Sequence, residues 1–280
     1  MADNLYWLAR YLERTENLAR LVDVNANLML DLPKELAPGW QPVITITGSQ
    51  SIFTERYKDT SERSVVRFVV ADDKNPGSMV TSLAHAREIA RTIRDILPRE
   101  VWEHVNELFL YVNEHASEAI NKRTRYAFLK RVTLGIQTLT GMFEGIVNEG
   151  ASLGFLTLGR NLERADMTSR IVDVRAAVML PDEVVGLRPF ATVEWMSVLN
   201  SLSGYHMYRL KMRERVHPAG VVRFLLADDE FPRACVCCLK RAEAELASLP
   251  RSDAVLKRLA RMRRAIVRTP FETMSQKGLH

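Results

Sequence analysis

Apolar residues recur at helical spacing along most of the chain, and the first run sets the pattern. Over residues 4–31, Leu5, Leu8, Leu12, Ala19, Val22 and Ala26 fall on one broad arc at about 100° per residue. Glu13, Glu16, Asn17 and Arg20 fall opposite, on a face the pattern predicts to be polar. Arg14 departs from it. It projects between Trp7, Leu18 and Leu21, so at least partial burial is expected, with a carboxylate from another helix to meet it. Asp3 or Asn4 is placed to cap this helix.

The rest of the chain reads the same way. Leu32 to Pro42 holds Pro33, Pro38 and Gly39 and predicts a loop, followed by a helix over 42–57. Residues 62–71 are β-branched enough for a strand, but helical neighbours favour helix. Asp72-Asp73 followed by Pro76 predicts a helix end, a short turn and a new helix opened by Pro, with Asn75 as its cap. Helices are expected over 77–96, from Pro98 onward, and over 126–148 after a basic turn at Lys122–Arg125. Gly135, Gly141 and Gly145 in the last of these suggest close packing. Then come helices over 152–179, 190–213 (after a loop from Pro181 to Pro189), 217–228, 232–248 and 252–268, and a loosely held tail from Thr269. The fold class is all-α, with about ten or eleven helices.

The chain also repeats itself. Leu8-Ala-Arg-Tyr-Leu-Glu-Arg14 returns as Leu158-Gly-Arg-Asn-Leu-Glu-Arg164, and the register continues through Arg20, Asp23, Met29 and Leu30 to Arg170, Asp173, Met179 and Leu180. A second motif, Val65-Val-Arg-Phe68 with Asp72, Asp73 and Pro76, returns as Val221-Val-Arg-Phe224 with Asp228, Asp229 and Pro232. The reading is an internal duplication within one domain over 1–280, with halves over about 4–148 and 152–268. The unit is far longer than a solenoid repeat, so two pseudo-symmetric bundles sharing a core are expected.

Composition narrows the function classes. A chain of 280 residues, 47% apolar and 26% charged, is globular rather than disordered. The net charge of +5 is compatible with an anionic partner without requiring one. There is no basic segment followed by an apolar run at the N-terminus and no apolar stretch of about 18 residues, so a soluble cytoplasmic protein is expected. Cys235, Cys237 and Cys238 form neither a disulfide framework nor a zinc pattern and read as reduced residues packed in a helix. The GxxxxGK[ST], GxGxxG and GxSxG signatures are missing. The six histidines are read as lacking the Glu-x-x-His spacing that a di-iron bundle needs, so no metal and no cofactor are expected.

What chemistry remains lies in the repeated charges. Arg10 and Glu13, and Arg20 and Asp23, stand three apart, and the second copy keeps both pairs as Arg160–Glu163 and Arg170–Asp173. If a pseudo-twofold relates the halves, Glu13, Arg14, Glu163 and Arg164 can meet as a buried, mutually satisfied network. Two readings stay open. The network fixes how the halves dock, or it forms a polar cleft for a carboxylate or phosphate, with Arg as the fork and Glu as acid or base. Asp72, Asp73, Asp228 and Asp229 are weaker candidates, since capping explains most of their pattern. Arg87 and Arg91, on one face with Arg94, form either a solvated stripe or an anion-binding strip.

Leu5-Tyr-Trp-Leu-Ala-Arg-Tyr-Leu-Glu-Arg-Thr-Glu-Asn17, Asn75-Pro-Gly-Ser78 with Ala86-Arg-Glu-Ile-Ala-Arg91, Trp102-Glu-His-Val-Asn106, and Gly159-Arg-Asn-Leu-Glu-Arg-Ala-Asp166 together resemble the bacterial alpha-E domain family, over essentially the whole chain. The resemblance implies an α-helical domain with a Glu-Arg motif. It also implies association with a circularly permuted ATP-grasp protein and a transglutaminase-like protein, in a system for ATP-dependent peptide or amide-bond formation and processing. The expected function is that of a helical partner of the ligase, binding the ligase or its peptide substrate. One alternative is an enzyme of peptide or amide bonds acting through the Glu-Arg cluster. A weaker one is binding of nucleic acid or another polyanion by the basic last helix, with Lys257, Arg258, Arg261 and Arg264.

Overall fold

Helix α1 (Ala2–Asp31) runs through the middle of the protein, and everything else is arranged around it. The computed structural model describes residues 1–178 and 187–271. Among them α1 is buried on nearly all sides. Leu5, Leu8, Leu12 and Val22 are buried as the apolar pattern predicts, but so are Glu13, Glu16 and Asn17 on the face expected to be polar. A helix enclosed over most of its length leaves its polar stripe little water, so that stripe must find partners inside the protein. The helix begins at Ala2, which puts Asp3 and Asn4 in its first turn instead of at the cap; Asp3 still faces the positive end of the helix dipole.

The first half continues with α2 (Gln41–Thr47) and α3 (Gln50–Arg56). One helix over 42–57 was expected. Gly48, at φ +67, ends α2 with its N–H on the Ile44 and Thr45 carbonyls and breaks the run. Next, α4 (Glu62–Val66) widens into a π-helical turn over Arg67–Ala71. Asp72 N–H reaches back to Arg67 O, which leaves Phe68 O without its usual helical donor. The buried Asn75 side chain donates to it instead, at 2.9 Å. Asn75 is therefore a turn anchor, and Ser78 caps the following helix α5 (Met79–Thr92), accepting from Thr81 N. Pro76 lies in the turn and does not open the helix.

Helix α6 (Arg99–His115), a 3-10 turn over Ala116–Ala119 and α7 (Lys122–Ile146) complete this half. The predicted basic turn is the first turn of α7, and Arg125 is buried there against Glu62 at 2.6 Å and the Ala119 carbonyl at 2.7 Å. Of the three α7 glycines only Gly135 is tight, against the Leu108 side chain.

The second half starts with α8 (Ala151–Val178), followed by α9 (Arg188–Ser201) and α10 (Tyr205–Met212). The single helix predicted over 190–213 is broken by Ser203 at φ +54. Then come α11 (Pro218–Ala227), α12 (Cys235–Ala247) and the basic α13 (Asp253–Val267). As with Pro76, Pro232 sits in the turn before α12 and not at its first position. Met179, Leu180, most of the predicted 181–189 loop and most of the tail lie outside the described residues. The described residues hold thirteen α-helices and no strand, slightly more helices than expected because of the two breaks. None of these helices is long and apolar enough to cross a membrane. Helix α1 packs on α5, α8 on α12, and α1 on α8 at the centre.

Candidate functional site

Helices α1 and α8 lie side by side with matching positions adjacent. Gly159 touches Ala9, the Glu13–Arg14 pair faces Glu163–Arg164, and Arg175 donates to Asn25 at 2.6 Å. The offset is that of the sequence repeat, so the pairing is parallel and in register. Gly159 makes the approach possible: a Cβ there would run into the Tyr6 carbonyl oxygen.

This geometry decides the ion pairs. Arg14 forks Glu163, with Nε to Oε1 at 2.7 Å and Nη2 to Oε2 at 3.1 Å. Arg10 donates to the same carboxylate at 2.7 Å and stacks over Trp7. On the other side Arg164 Nε stands 3.0 Å from Glu13 Oε1, an ion-pair distance, though off the direction of a hydrogen bond. The four motif residues therefore meet across the two helices. The pairs expected within each helix do not form. Arg10 takes Glu163 instead of Glu13, Arg160 takes Glu144 at 2.9 Å, Arg20 takes Glu16 at 2.7 Å, and Arg170 takes Asp166 at 3.0 Å. Asp173 is exposed and Asp23 half-buried. Arg10 thus reaches a buried carboxylate of α8 and Arg160 an exposed one of α7, while Arg20 and Arg170 pair four residues back in their own helices.

One member of the network escaped the sequence. Arg233, in the turn before α12, donates Nη1 to Glu13 at 2.7 Å and to Asn17 at 2.9 Å, and Nη2 to Glu16 at 2.8 Å. It follows Pro232 of the stretch that begins Asp228-Asp229, whereas Gly77 follows Pro76 of the similar stretch that begins Asp72-Asp73. The difference between the copies was the available signal. Burial works against the Glu13 carboxylate, but the Arg233 and Arg164 guanidiniums outweigh it and hold its pKa below the ordinary value. Glu13 Oε2 and Asn17 Nδ2 have no protein partner.

A pH prediction follows from these groups. Glu13, Asp72 and Asp228 are all held below their ordinary values, 4.5 for Glu and 3.8 for Asp, so each stabilises the fold fully above those values. That stability is lost as pH falls through the lower native pKa values. Asp23, raised by burial, works the other way but is one against three. Urea midpoints should be flat from pH 7 to about 5 and drop steeply below about 4. A midpoint that rises on acidification would contradict the ion-pair assignments.

Two cavities flank the network. The larger, about 400 Å³, is bordered by Glu16, Arg20, Arg164, Ser203 and Arg233. The smaller, about 190 Å³, is bordered by Arg14, Gly77, Glu163, Asp166 and Arg170. At an offset of 150 to 156 positions Glu16, Arg20, Arg164, Ser203 and Arg233 of the larger correspond to Asp166, Arg170, Arg14, Thr47 and Gly77 of the smaller; the rest of the two linings differs.

The weaker candidates are structural. Asp72 binds Arg56 at 2.8 Å, the Tyr57 hydroxyl at 2.9 Å and Lys74 N at 3.0 Å, tying α3 to the π-helical turn. Asp228 binds Lys211 at 2.6 Å and accepts from Glu230 and Phe231 N–H groups. Asp73 and Asp229 pair with nearby lysines at the surface. Arg87 donates to Asn106 at 2.7 Å and Arg91 to Glu88 at 2.6 Å, so the arginines of that face are individually engaged. The three cysteines are buried and unpaired, and burial pushes the Cys235 and Cys238 thiols up to about 12. A single Glu-x-x-His spacing does occur, Glu214 to His217 at 3.0 Å, which corrects the expectation drawn from the histidines. It lies at the surface, and His217 caps α11.

Comparison with known proteins agrees in character. A family model described as a predicted alpha-helical domain with a conserved ER motif matches residues 1–280. Uncharacterized proteins of Mycobacterium bovis and Mycobacterium tuberculosis are 24% identical over 274 residues, covering 89% of this chain and 30% of theirs. The chain thus spans less than a third of those relatives' length. No solved structure matches it.

Proposed function

The chain belongs to the Alpha-E family, and from that premise we propose that it is a helical partner module of an ATP-grasp peptide- or amide-ligase system, docking on the ligase or holding its peptide substrate, in the cytoplasm. The observation that carries this reading is the state of the motif carboxylates. Glu13 and Glu163 are both buried, and each is met by two guanidiniums from elsewhere in the fold. A carboxylate so held is a poor proton carrier, which weighs against general acid or base work at the Glu-Arg cluster. The curated relatives support a module as well: the matched region is 30% of a longer chain. The in-register packing of α1 on α8 supports descent of the two halves from one duplicated unit, with Glu-Arg as the joint between them. We place the module beside the ligase and the transglutaminase-like protein of such systems because the family resemblance implies that company.

The test is co-expression with an ATP-grasp protein encoded beside such a chain. A stoichiometric complex should survive gel filtration, and the isolated chain should neither hydrolyse ATP nor form or cleave amide bonds. Turnover by the chain alone, or the absence of any complex, would overturn the reading.

A further inference from the structure

We propose that the larger cavity is a binding site for the carboxylate of a ligand with an apolar body, gripped by Arg164. The inference stands on the cavity alone and does not depend on which protein the module docks to.

The argument begins with hydrogen-bond donors. Three guanidiniums border the cavity. Arg20 uses Nε and Nη2 on Glu16 and Nη1 on the Ser203 hydroxyl. Arg233 uses both Nη groups on Glu13, Glu16 and Asn17. Arg164 differs: Nε is drawn to Glu13, while neither terminal Nη group makes a hydrogen bond within the described residues. Its side chain is only 11% exposed and lines the cavity, an open cleft at the surface. Arg14, its counterpart in the other half, is already spent as a fork on Glu163. Of the two arginines, Arg14 spends its fork on a carboxylate, and Arg164 meets one through Nε alone.

Charge gives the ligand its sign. Arg20, Arg164 and Arg233 line the cavity with Glu16 as the one carboxylate among its lining residues, while Glu13 and Asp23 offset them from outside that lining. The lining itself is therefore positive, which suits an anionic group. A planar carboxylate matches the paired donors of a guanidinium edge.

Shape gives the ligand its body. The lining also includes the apolar Leu202, Met207, Phe231 and Pro232. The volume of about 400 Å³ lies within the range of about 300–1,000 Å³ typical of small-molecule sites. The floor is held by Ser203, whose left-handed backbone at φ +54 is unusual for a residue other than glycine and keeps its hydroxyl on Arg20. Free apolar acids and the C-terminus of a peptide ending in an apolar residue share this chemistry.

Calorimetric titration of the full chain tests it, with N-acetyl-phenylalanine as the acid probe and the matching carboxamide and phenyl phosphate as controls. N-acetyl-Leu-Phe distinguishes a peptide end from a free acid. The acid should bind saturably and the amide at least about tenfold more weakly. Arg164→Lys, which keeps the charge beside Glu13 but loses the fork, should weaken the acid about tenfold. Gln137→Glu, an exposed isosteric change at the rim outside the network, should weaken it severalfold with an unchanged melting temperature. Tighter binding of the dipeptide than of the single residue assigns a peptide terminus, and equal binding assigns a free acid; both support the site. Equal binding of acid and amide, preference for phenyl phosphate, wild-type affinity in both variants, or no heat with the acid at millimolar concentration would each overturn it.

Discussion

Arg233→Met is expected to destabilise the protein by about 3–5 kcal/mol, the loss usual when one partner of a buried ion pair is removed. Methionine fills roughly the same space, so the loss is not a cavity effect. Two buried carboxylates, Glu13 and Glu16, and the Asn17 amide oxygen lose their shared donor together. Arg164 remains beside Glu13 and Arg20 beside Glu16, which keeps the loss from being larger. Urea unfolding should show a lower midpoint with an unchanged slope. Adding Glu13→Gln to the variant should return part of the loss, because the orphaned charge goes with it. Arg263→Met serves as the contrast. Its partner Glu243 lies near the surface, and the arginine is a third exposed, so less than about 1 kcal/mol is expected. A loss of that small size at Arg233 would mean that the buried network contributes nothing to the fold.

Gly159→Ala should cost about 1–3 kcal/mol, although alanine is the better helix former by about 1 kcal/mol. The added carbon meets the backbone of α1 at Tyr6 and the Ala9 methyl, and neither can turn aside as a side-chain tip could. The two helices must separate, and the ion pairs a turn away stretch with them. Gly135→Ala meets only the Leu108 side chain, which can rotate, and Gly141→Ala meets nothing within 4 Å. Thermal melts of the three should therefore order Gly141→Ala at or above wild type, Gly135→Ala close to it, and Gly159→Ala well below. A Gly159→Ala protein as stable as wild type would rule out the close helix contact.

These outcomes bear on what the sequence could say. The burial of Arg14 beside a foreign carboxylate followed from its place among Trp7, Leu18 and Leu21, and the repeat named Glu163 as a candidate partner. The polar face of α1 misled, because periodicity reports a difference between faces and not which faces meet water. Glu16 and Asn17 look solvated on a wheel but are buried, with Arg233 of the turn before α12 brought to them. Arg233 carries no repeated signal, because Gly77 stands at the corresponding place after Pro76. The breaks at Gly48 and Ser203 were illegible for different reasons: one glycine among many carries little signal, and a serine at positive φ carries none. Hydrogen bonds such as Asn75 to Phe68 depend on a π-helical turn that no propensity announces.

The parallel pairing of α1 with α8 has a consequence in time. Residues adjacent in the finished core are made far apart during synthesis, since Asn25 meets Arg175 across 150 positions of chain. When only the first half has left the ribosome, Glu13 has neither Arg164 nor Arg233, and the central helix has half its surroundings. The first half must wait with its carboxylates in water, and the core closes only when the turn carrying Arg233 arrives. Truncated or stalled chains ending before α12 should accordingly be loose, aggregation-prone species, lacking both the turn that meets Glu13 and the helix that buries Leu239 and Leu246.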